Sequence, residues 1–571
     1  MASIKRRLCF CLILIVPLVV LSATRLCGQT PEAKTKANGS ISGRVTIGEK
    51  PAPGILIAVS GLNSPMPTAQ ATSDAEGNYR IGGLAAGQIN VTPVAPVYVV
   101  PASAMFGQGR VVNLSANEAV EGIDFKLTRG GVITGRITDA DGRPVIEERI
   151  SLIAIDENGA PVRGPTLRQA NFMMYQTDDR GAYRIYGLPA GHYKVSVGED
   201  INRIAGMRAS GYYQRVFYPD ATEINKAGIV DVSEGGETKN IDIKLGRRSA
   251  TYSASGRIID ADTGRPLAGV YFSVGAVQQN QNQSYVSGTS GPSNPTNSQG
   301  EFRMEGLSPG RYVLMINSQN FNPNATSMPK VYSEPLSFEI ADVDVTNLEI
   351  KAQPGLTISG VVVPEGISDK TVLARISKLV VAANVNPGPM EIRAFTGGSA
   401  AKVNPDGSFL IEGLHPGKIM LNVGYGGPES IGFTTTRIEY NGVVPNREIE
   451  LPPGQNISGV KIYVAYGTGV VRGQVKVEGG TLPTDAVIFI SLNTQGEPNR
   501  FNGNGQVDSR GRFLIRGVSR GTYEVVLQIM SLGSQQLPRG FQRPQRQTVT
   551  VTDGSDTEVL FTLDLSRKDV P

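Results

Sequence analysis

The chain of 571 residues has no tryptophan, only three cysteines and only two histidines. The cysteines, Cys9, Cys11 and Cys27, all lie at the N-terminal end. Disulfides therefore cannot hold the body of the chain together, and its domains must rely on their own cores. The histidines, His192 and His415, are far apart in sequence. They form no pair at metal-ligand spacing, so no zinc centre or other cofactor site is expected. Neither lies beside a nucleophile-elbow sequence, so no Ser/His/Asp triad is expected either. A strong excess of one charge is missing too. The 55 Lys and Arg nearly balance the 51 Asp and Glu, for a formal charge of +4. This argues against nucleic acid as a partner. Beyond the N-terminus, no apolar run is long enough to span a bilayer.

What is present in quantity is glycine and proline, 68 and 36 residues, with no collagen-like period. Together with plentiful β-branched residues, they indicate many tight turns between many short strands. The N-terminus reads as an export signal over residues 1–28, followed by a linker over 29–39. Lys5, Arg6 and Arg7 precede an apolar run from Leu8 to Leu21, the length of a signal h-region. Ala23 or Gly28 supplies a small residue for cleavage, and an uncleaved anchor is the alternative. Thr24-Arg25-Leu26 before Cys27 does not make a lipobox. The expected location is the periplasm, the cell surface or the extracellular space.

Internal repetition decides the fold class. One hairpin pattern occurs five times. Its copies run from Asp74 through Gly77, Tyr79 and Ile81 to Gly83-Leu84 and Gly87, and from Asp178 through Gly181, Tyr183 and Ile185 to Gly187-Leu188 and Gly191. They continue from Asn297 through Gly300, Phe302 and Met304 to Gly306-Leu307 and Gly310, and from Asn404 through Gly407, Phe409 and Ile411 to Gly413-Leu414 and Gly417. The last runs from Asp508 through Gly511, Phe513 and Ile515 to Gly517-Val518 and Gly521. The spacing is a little over 100 residues, the size of a domain. The Asp or Asn bonds its side chain to the backbone ahead and opens a turn. The Gly three residues on takes positive φ at a bulge. The aromatic and the aliphatic residue two positions later share one strand face and point to a core.

Each copy also opens and closes alike. Openings are Ile41-Ser42-Gly43-Arg44, Ile133-Thr134-Gly135-Arg136, Ser255-Gly256-Arg257, Ile358-Ser359-Gly360 and Val471-Arg472-Gly473. Closings alternate apolar and polar residues, as in Ile241-Asp242-Ile243-Lys244-Leu245, a pattern suited to an antiparallel sheet with one wet face. Little helix is expected. These motifs, with the Asp139 to Val145 turn, resemble the carboxypeptidase regulatory-like domain, and related Cna-B-like and starch-binding-like sandwiches. The first and fourth copies depart in the opening turn, and the fourth has Pro364-Glu365-Gly366 there. The resemblance implies an all-β chain of five tandem seven-stranded Greek-key β-sandwiches of transthyretin (prealbumin) type. The expected spans are 40–128, 130–248, 251–353, 356–466 and 468–566. It further implies a non-catalytic secreted or cell-envelope module array acting as a structural or adhesive binding scaffold, with an envelope protein or polysaccharide as partner. An accessory partner of a peptidase is an alternative that rests on the resemblance alone. Cna-B-like domains can carry a Lys–Asn isopeptide. The opening strands here hold Arg44, Arg136 and Arg257 instead, so no such cross-link is expected.

Three clusters invite a chemical reading. Asp178-Asp179 and Asp139/Asp141 are paired carboxylates, but both lie in turn motifs, and turn formation is the better account. Asp139-Ala140-Asp141-Gly142 and Asp260-Ala261-Asp262 resemble partial calcium loops without the later acidic ligand. The segment from Tyr212 to Pro219 gathers Tyr212, Tyr213 and Phe217. These are the candidate ligand-binding residues, a stacking platform for a sugar, and they make a carbohydrate-binding protein the second alternative. Against that stands the lack of tryptophan. Tyr98, Tyr332, Tyr440 and Phe541 also fall in the corresponding segment of other copies.

Overall fold

The computed structural model describes residues 38–61, 66–100, 109–162, 175–199, 211–280, 283–290, 295–316, 330–386, 398–424, 430–444, 448–482, 486–531 and 544–565. The leader and all three cysteines lie outside them. The regular secondary structure of the described residues is almost entirely strand. Its strands gather into ten sheets, taken in consecutive pairs along the sequence. In the third copy one sheet orders Glu301–Leu307, Tyr252–Asp260, Val345–Pro354 and Val331–Tyr332. Its partner orders Gln283–Ser290, Phe272–Asn280, Gly310–Ile316 and Leu336–Ile340. The fourth copy repeats this four-on-four arrangement, and the fifth has three strands facing four.

Every copy is organised by its opening strand: Gly39–Ile47, Gly131–Thr138, Tyr252–Asp260, Leu356–Pro364 and Gly469–Glu478. On one side it pairs antiparallel with the hairpin strand, on the other with the closing strand. The closing pair is parallel in all five, where alternation alone pointed to an antiparallel sheet. The physical reason is that parallel partners need a long crossover. Here that crossover is the rest of the copy, and local alternation carries no trace of it.

The glycine in each opening strand is fixed by its neighbours. Gly43, Gly135, Gly256, Gly360 and Gly473 lie directly across from Tyr79, Tyr183, Phe302, Phe409 and Phe513. A Cβ on any of them would fall about 2 Å from a carbonyl oxygen, that of Ile123, Ile241, Leu348, Val460 or Val559. The absent side chain lets the closing segment and the aromatic ring approach from either side. All five rings are buried, and burying one such side chain contributes about 1.5–3 kcal/mol. In the two tyrosine copies the hydroxyl donates to that same carbonyl, Tyr79 to Ile123 O and Tyr183 to Ile241 O, both at 2.6 Å.

The hairpin turn is built as its sequence suggests. Asp178 Oδ1 accepts from the amides of Arg180 and Ala182 at 2.9 and 2.8 Å, and Asp74, Asn297 and Asp508 do the same in their copies. Gly77, Gly181, Gly300, Gly407 and Gly511 all have φ between 69° and 85°. The carbonyl of each turn glycine accepts from the opening strand, as in Ile137 N to Gly181 O at 2.7 Å. The fourth copy departs in its opening turn, where Lys370–Arg375 forms a short helix capped by Asp369, whose side chain accepts from Thr371 N.

Consecutive copies meet through backbone. Gly130, Gly355 and Gly467 stand where one copy passes to the next. Their amides donate back to Val97 O, Lys330 O and Gly432 O of the preceding copy, at 3.0, 2.8 and 2.8 Å. A Cβ on them would meet Gly187 Cα, Gly413 Cα or the Val518 carbonyl carbon at 2.2–2.4 Å, in the Gly-Leu or Gly-Val turn of the following copy. Between the second and third copies the joint differs. There Tyr212 and Ser249 exchange backbone hydrogen bonds at 3.1 and 2.8 Å.

Two substitutions test this framework by urea unfolding. Gly135→Ala places a methyl against Ile241 O and should cost about 3 kcal/mol, the upper end for point changes. Gly181→Val, at φ 71°, should cost about 1–3 kcal/mol. Unchanged midpoints would contradict the packing. Tyr183→Phe removes one hydrogen bond but keeps the ring, as in three natural copies, and should cost only about 1 kcal/mol.

Candidate functional site

The residues singled out for chemistry do not converge. His192 Nδ1 lies 2.5 Å from Asp231 Oδ1 on an exposed strand pair of the second copy. His415 is buried in the fourth copy, its ring 5.3 Å from that of Tyr332. It occupies the Gly-Leu-x-Pro-Gly corner. In the third and fifth copies that corner holds Ser308 and Ser519, each accepting through its backbone oxygen from Tyr312 or Tyr523. The fourth copy has Ile419 in place of that tyrosine. Burial pushes the His415 pKa down to about 4.

The carboxylate pairs are consumed in turns. Asp139 Oδ1 accepts from the amides of Asp141 and Arg143, both at 2.9 Å. Asp260 Oδ1 accepts from Asp262 N, Thr263 N and Thr263 Oγ1. Each oxygen already meets two or three donors, as an Asx-turn requires. Among the described residues, no group of three or more His, Cys, Asp or Glu is placed to hold a metal ion.

The aromatic segment of the second copy lies largely inside. Tyr212 and Phe217 are 5% and 6% exposed. Tyr212 sits at the joint with the third copy, and Phe217 pairs with Ser196 on the Gly191–Val197 strand. Tyr213 is half-buried against the same core, with the Arg248 guanidinium 5.4 Å from its ring centre. A sugar could reach only Tyr213 with any freedom. In the other copies Tyr332 is buried, Tyr98 and Tyr440 are partly buried, and Phe541 lies outside the described residues. The bond between Tyr212 and Ser249 could not be read from sequence, because nothing local marks a residue as joint-forming.

One open cleft of about 660 Å³ lies on the third copy, lined by Asn297, Asn347, Arg257, Arg303, Glu301 and Glu349. Its two cations face two carboxylates, and Arg257 pairs with Glu301 at 3.3 Å, so the lining selects no ligand charge. No helix among the described residues is long and apolar enough to cross a membrane.

Sequence reasoning also missed a contact between the two ends of the array. Asn113, on the edge strand Arg110–Leu114 of the first copy, meets the hairpin turn of the fifth. Its Nδ2 donates to Gln506 O and Arg512 O at 2.9 and 2.8 Å, and its amide to Asp508 Oδ2 at 3.1 Å. Arg510 donates to Asn113 O at 2.7 Å and, with Arg512, to Glu118.

No family model matches the chain, and no curated relative does. Solved structures with detectable likeness include a Streptococcal ancillary pilin, at 12% identity and a TM-score of 0.23, covering 55% of this chain and 98% of that one. A minor pilin of Streptococcus agalactiae, GBS52, is 16% identical with a TM-score of 0.19, over 39% of this chain and 95% of that one. The Bacillus anthracis TIE protein is 12% identical with a TM-score of 0.14, over 72% and 69%. Superposition this loose says nothing about function, which must be argued from the chain itself.

If His415 stays neutral in the folded state, stability of the fourth copy depends on pH in a defined window. A histidine near its ordinary value of 6.5 in the unfolded chain takes up a proton that the folded form refuses until about pH 4. Its contribution is therefore full above pH 6.5 and is lost as the pH falls towards 4. The loss should approach about 3 kcal/mol, at roughly 1.4 kcal/mol per pH unit. Urea midpoints across that window should fall for the wild type and flatten for His415→Ser. Parallel slopes would refute the assignment.

Proposed function

We propose that this protein is a non-catalytic structural array exported to the cell envelope, built of five β-sandwich domains near 40–128, 130–248, 251–353, 356–466 and 468–566. The observation that carries this reading is the way the copies are joined. Three joints use the same device, a linker glycine hydrogen-bonded backward and wedged against the next copy's turn. The joint between the second and third copies has no such glycine, and there Tyr212 bridges only the connecting residue Ser249. Flexible linkers would suffice to string binding modules together, whereas backbone contacts at three of the four joints fix the relative orientation of the copies they join. An enzyme would need titratable groups brought together in a cleft, and the candidate groups here are scattered or used in turns. The N-terminal leader supplies the export route. On this reading the loops and remaining sheet edges are the surfaces offered to an envelope protein or polysaccharide.

The mature chain holds at most Cys27, so with Cys27→Ser paired spin labels on introduced cysteines in neighbouring copies will be clean reporters. Pulsed dipolar spectroscopy between the third and fourth copies should give one narrow distance distribution. Cell fractionation should place the chain in the envelope or outside the cell. A broad distribution would overturn the rigid-array reading, and a cytosolic chain the export reading. Pull-down from envelope extract beside a glycan array then separates a protein partner from a saccharide.

A further inference from the structure

The contact between the first and fifth copies differs from every other use of the hairpin turn. In the first four copies the turn-opening residues Asp74, Asp178, Asn297 and Asn404 are exposed. In the fifth, Asp508 is buried, its side chain only 1% exposed. What buries it is the edge strand of the first copy. Arg110–Leu114 ends the sheet that runs Pro67–Thr72, Leu56–Gly61, Gly87–Val94, Arg110–Leu114. Such an edge presents unpaired amides and carbonyls that other strands can join. Here the edge amide of Asn113 is taken by Asp508 and its carbonyl by Arg510. Asn113 itself is 4% exposed.

The flanks extend the contact. Gln88 Nε2 donates to Gln506 O at 2.7 Å, and Arg516 to Ala86 O at 2.6 Å. Glu118 receives Arg510 and Arg512 at 3.1 and 2.9 Å. Arg510 is held in place by Asp508 at 2.8 Å, so its guanidinium bridges carboxylates of both copies. Among the described residues no large apolar cluster spans the two copies: their cores are separate. The surface is thus specific in its hydrogen bonding but rests on charge rather than on apolar area.

We propose that the fifth copy's turn and the first copy's edge strand form an intramolecular clasp that closes the array on itself and that salt can open. The partner fitted by the first copy's edge is the last domain of the same chain. While shut, the clasp withholds Asn113 and its neighbours from strand addition by any other polypeptide; once open, it offers them. Because both halves belong to one chain, their effective concentration is set by the joints between. A set of ion pairs too weak to hold two free proteins can therefore hold these ends together. Exposed members of the set weaken as the Debye length falls from about 10 Å at 0.1 M salt to about 3 Å at 1 M.

Small-angle scattering of the full mature chain tests this. The wild type at low salt should be a compact monomer, and its radius of gyration and maximum dimension should rise at 1 M salt as the array opens at the joint between the second and third copies, which has no wedged linker glycine. Glu118→Arg, which sets three cations together, should give the open dimensions already at low salt. Arg510→Glu, on the other face of the clasp, should do the same, guarding against misfolding of one copy as the cause. Arg180→Glu, at the equivalent exposed turn position of the second copy, should stay compact. The clasp is overturned if the wild type is extended at low salt. It is equally overturned if either clasp variant keeps wild-type dimensions, or if Arg180→Glu opens the chain as they do.

Discussion

The structure depends on one steric constraint repeated five times, the missing side chain in the opening strand. Gly43, Gly135, Gly256, Gly360 and Gly473 each leave room of about one methyl group, and that room is occupied by a carbonyl of the closing segment. The aromatic ring of the hairpin lies directly across. Each copy thereby ties its first strand to its middle and its last. Glycine in a strand ordinarily weakens it by leaving nothing to pack. Here the neighbours supply the packing, and two copies add a tyrosine hydrogen bond to the same carbonyl.

The same economy of side chain operates between copies. A linker glycine at three joints permits backbone to lie on backbone at distances no Cβ would tolerate. Main-chain hydrogen bonds at these three joints hold the linker to the preceding copy. One aromatic even crosses the expected division, since Tyr332 of the third copy packs into the core of the fourth and meets His415 there. The two ends of the array meet in the polar contact of Asn113 with Asp508 and Arg510.

Much of this was legible in the sequence because turn chemistry is local. The spacing from Asp178 to Gly181 to Tyr183 specifies an Asx-turn, a positive φ and a buried ring, and each of these is present. The parallel pairing of opening and closing strands was not legible, since its partners are some hundred residues apart and alternate like antiparallel strands. Nor was the helix Lys370–Arg375, whose only local sign is the capping Asp369. The aromatic cluster of the second copy was visible, but its place at a joint was not. Tyr212 is held by backbone bonds to Ser249, which no nearby residue announces. The clasp was hidden for the same reason, with nearly four hundred residues separating Asn113 from Asp508.

The claim that backbone contact at glycine fixes the copies relative to one another is tested most directly by amide hydrogen exchange. The amides of Gly130, Gly355 and Gly467 donate to the preceding copy. They should be protected to the same order as the opening strands they adjoin. Exchange at the rate of an exposed loop at these three positions, with the opening strands still protected, would contradict the account, because the copies would then be joined by free linkers.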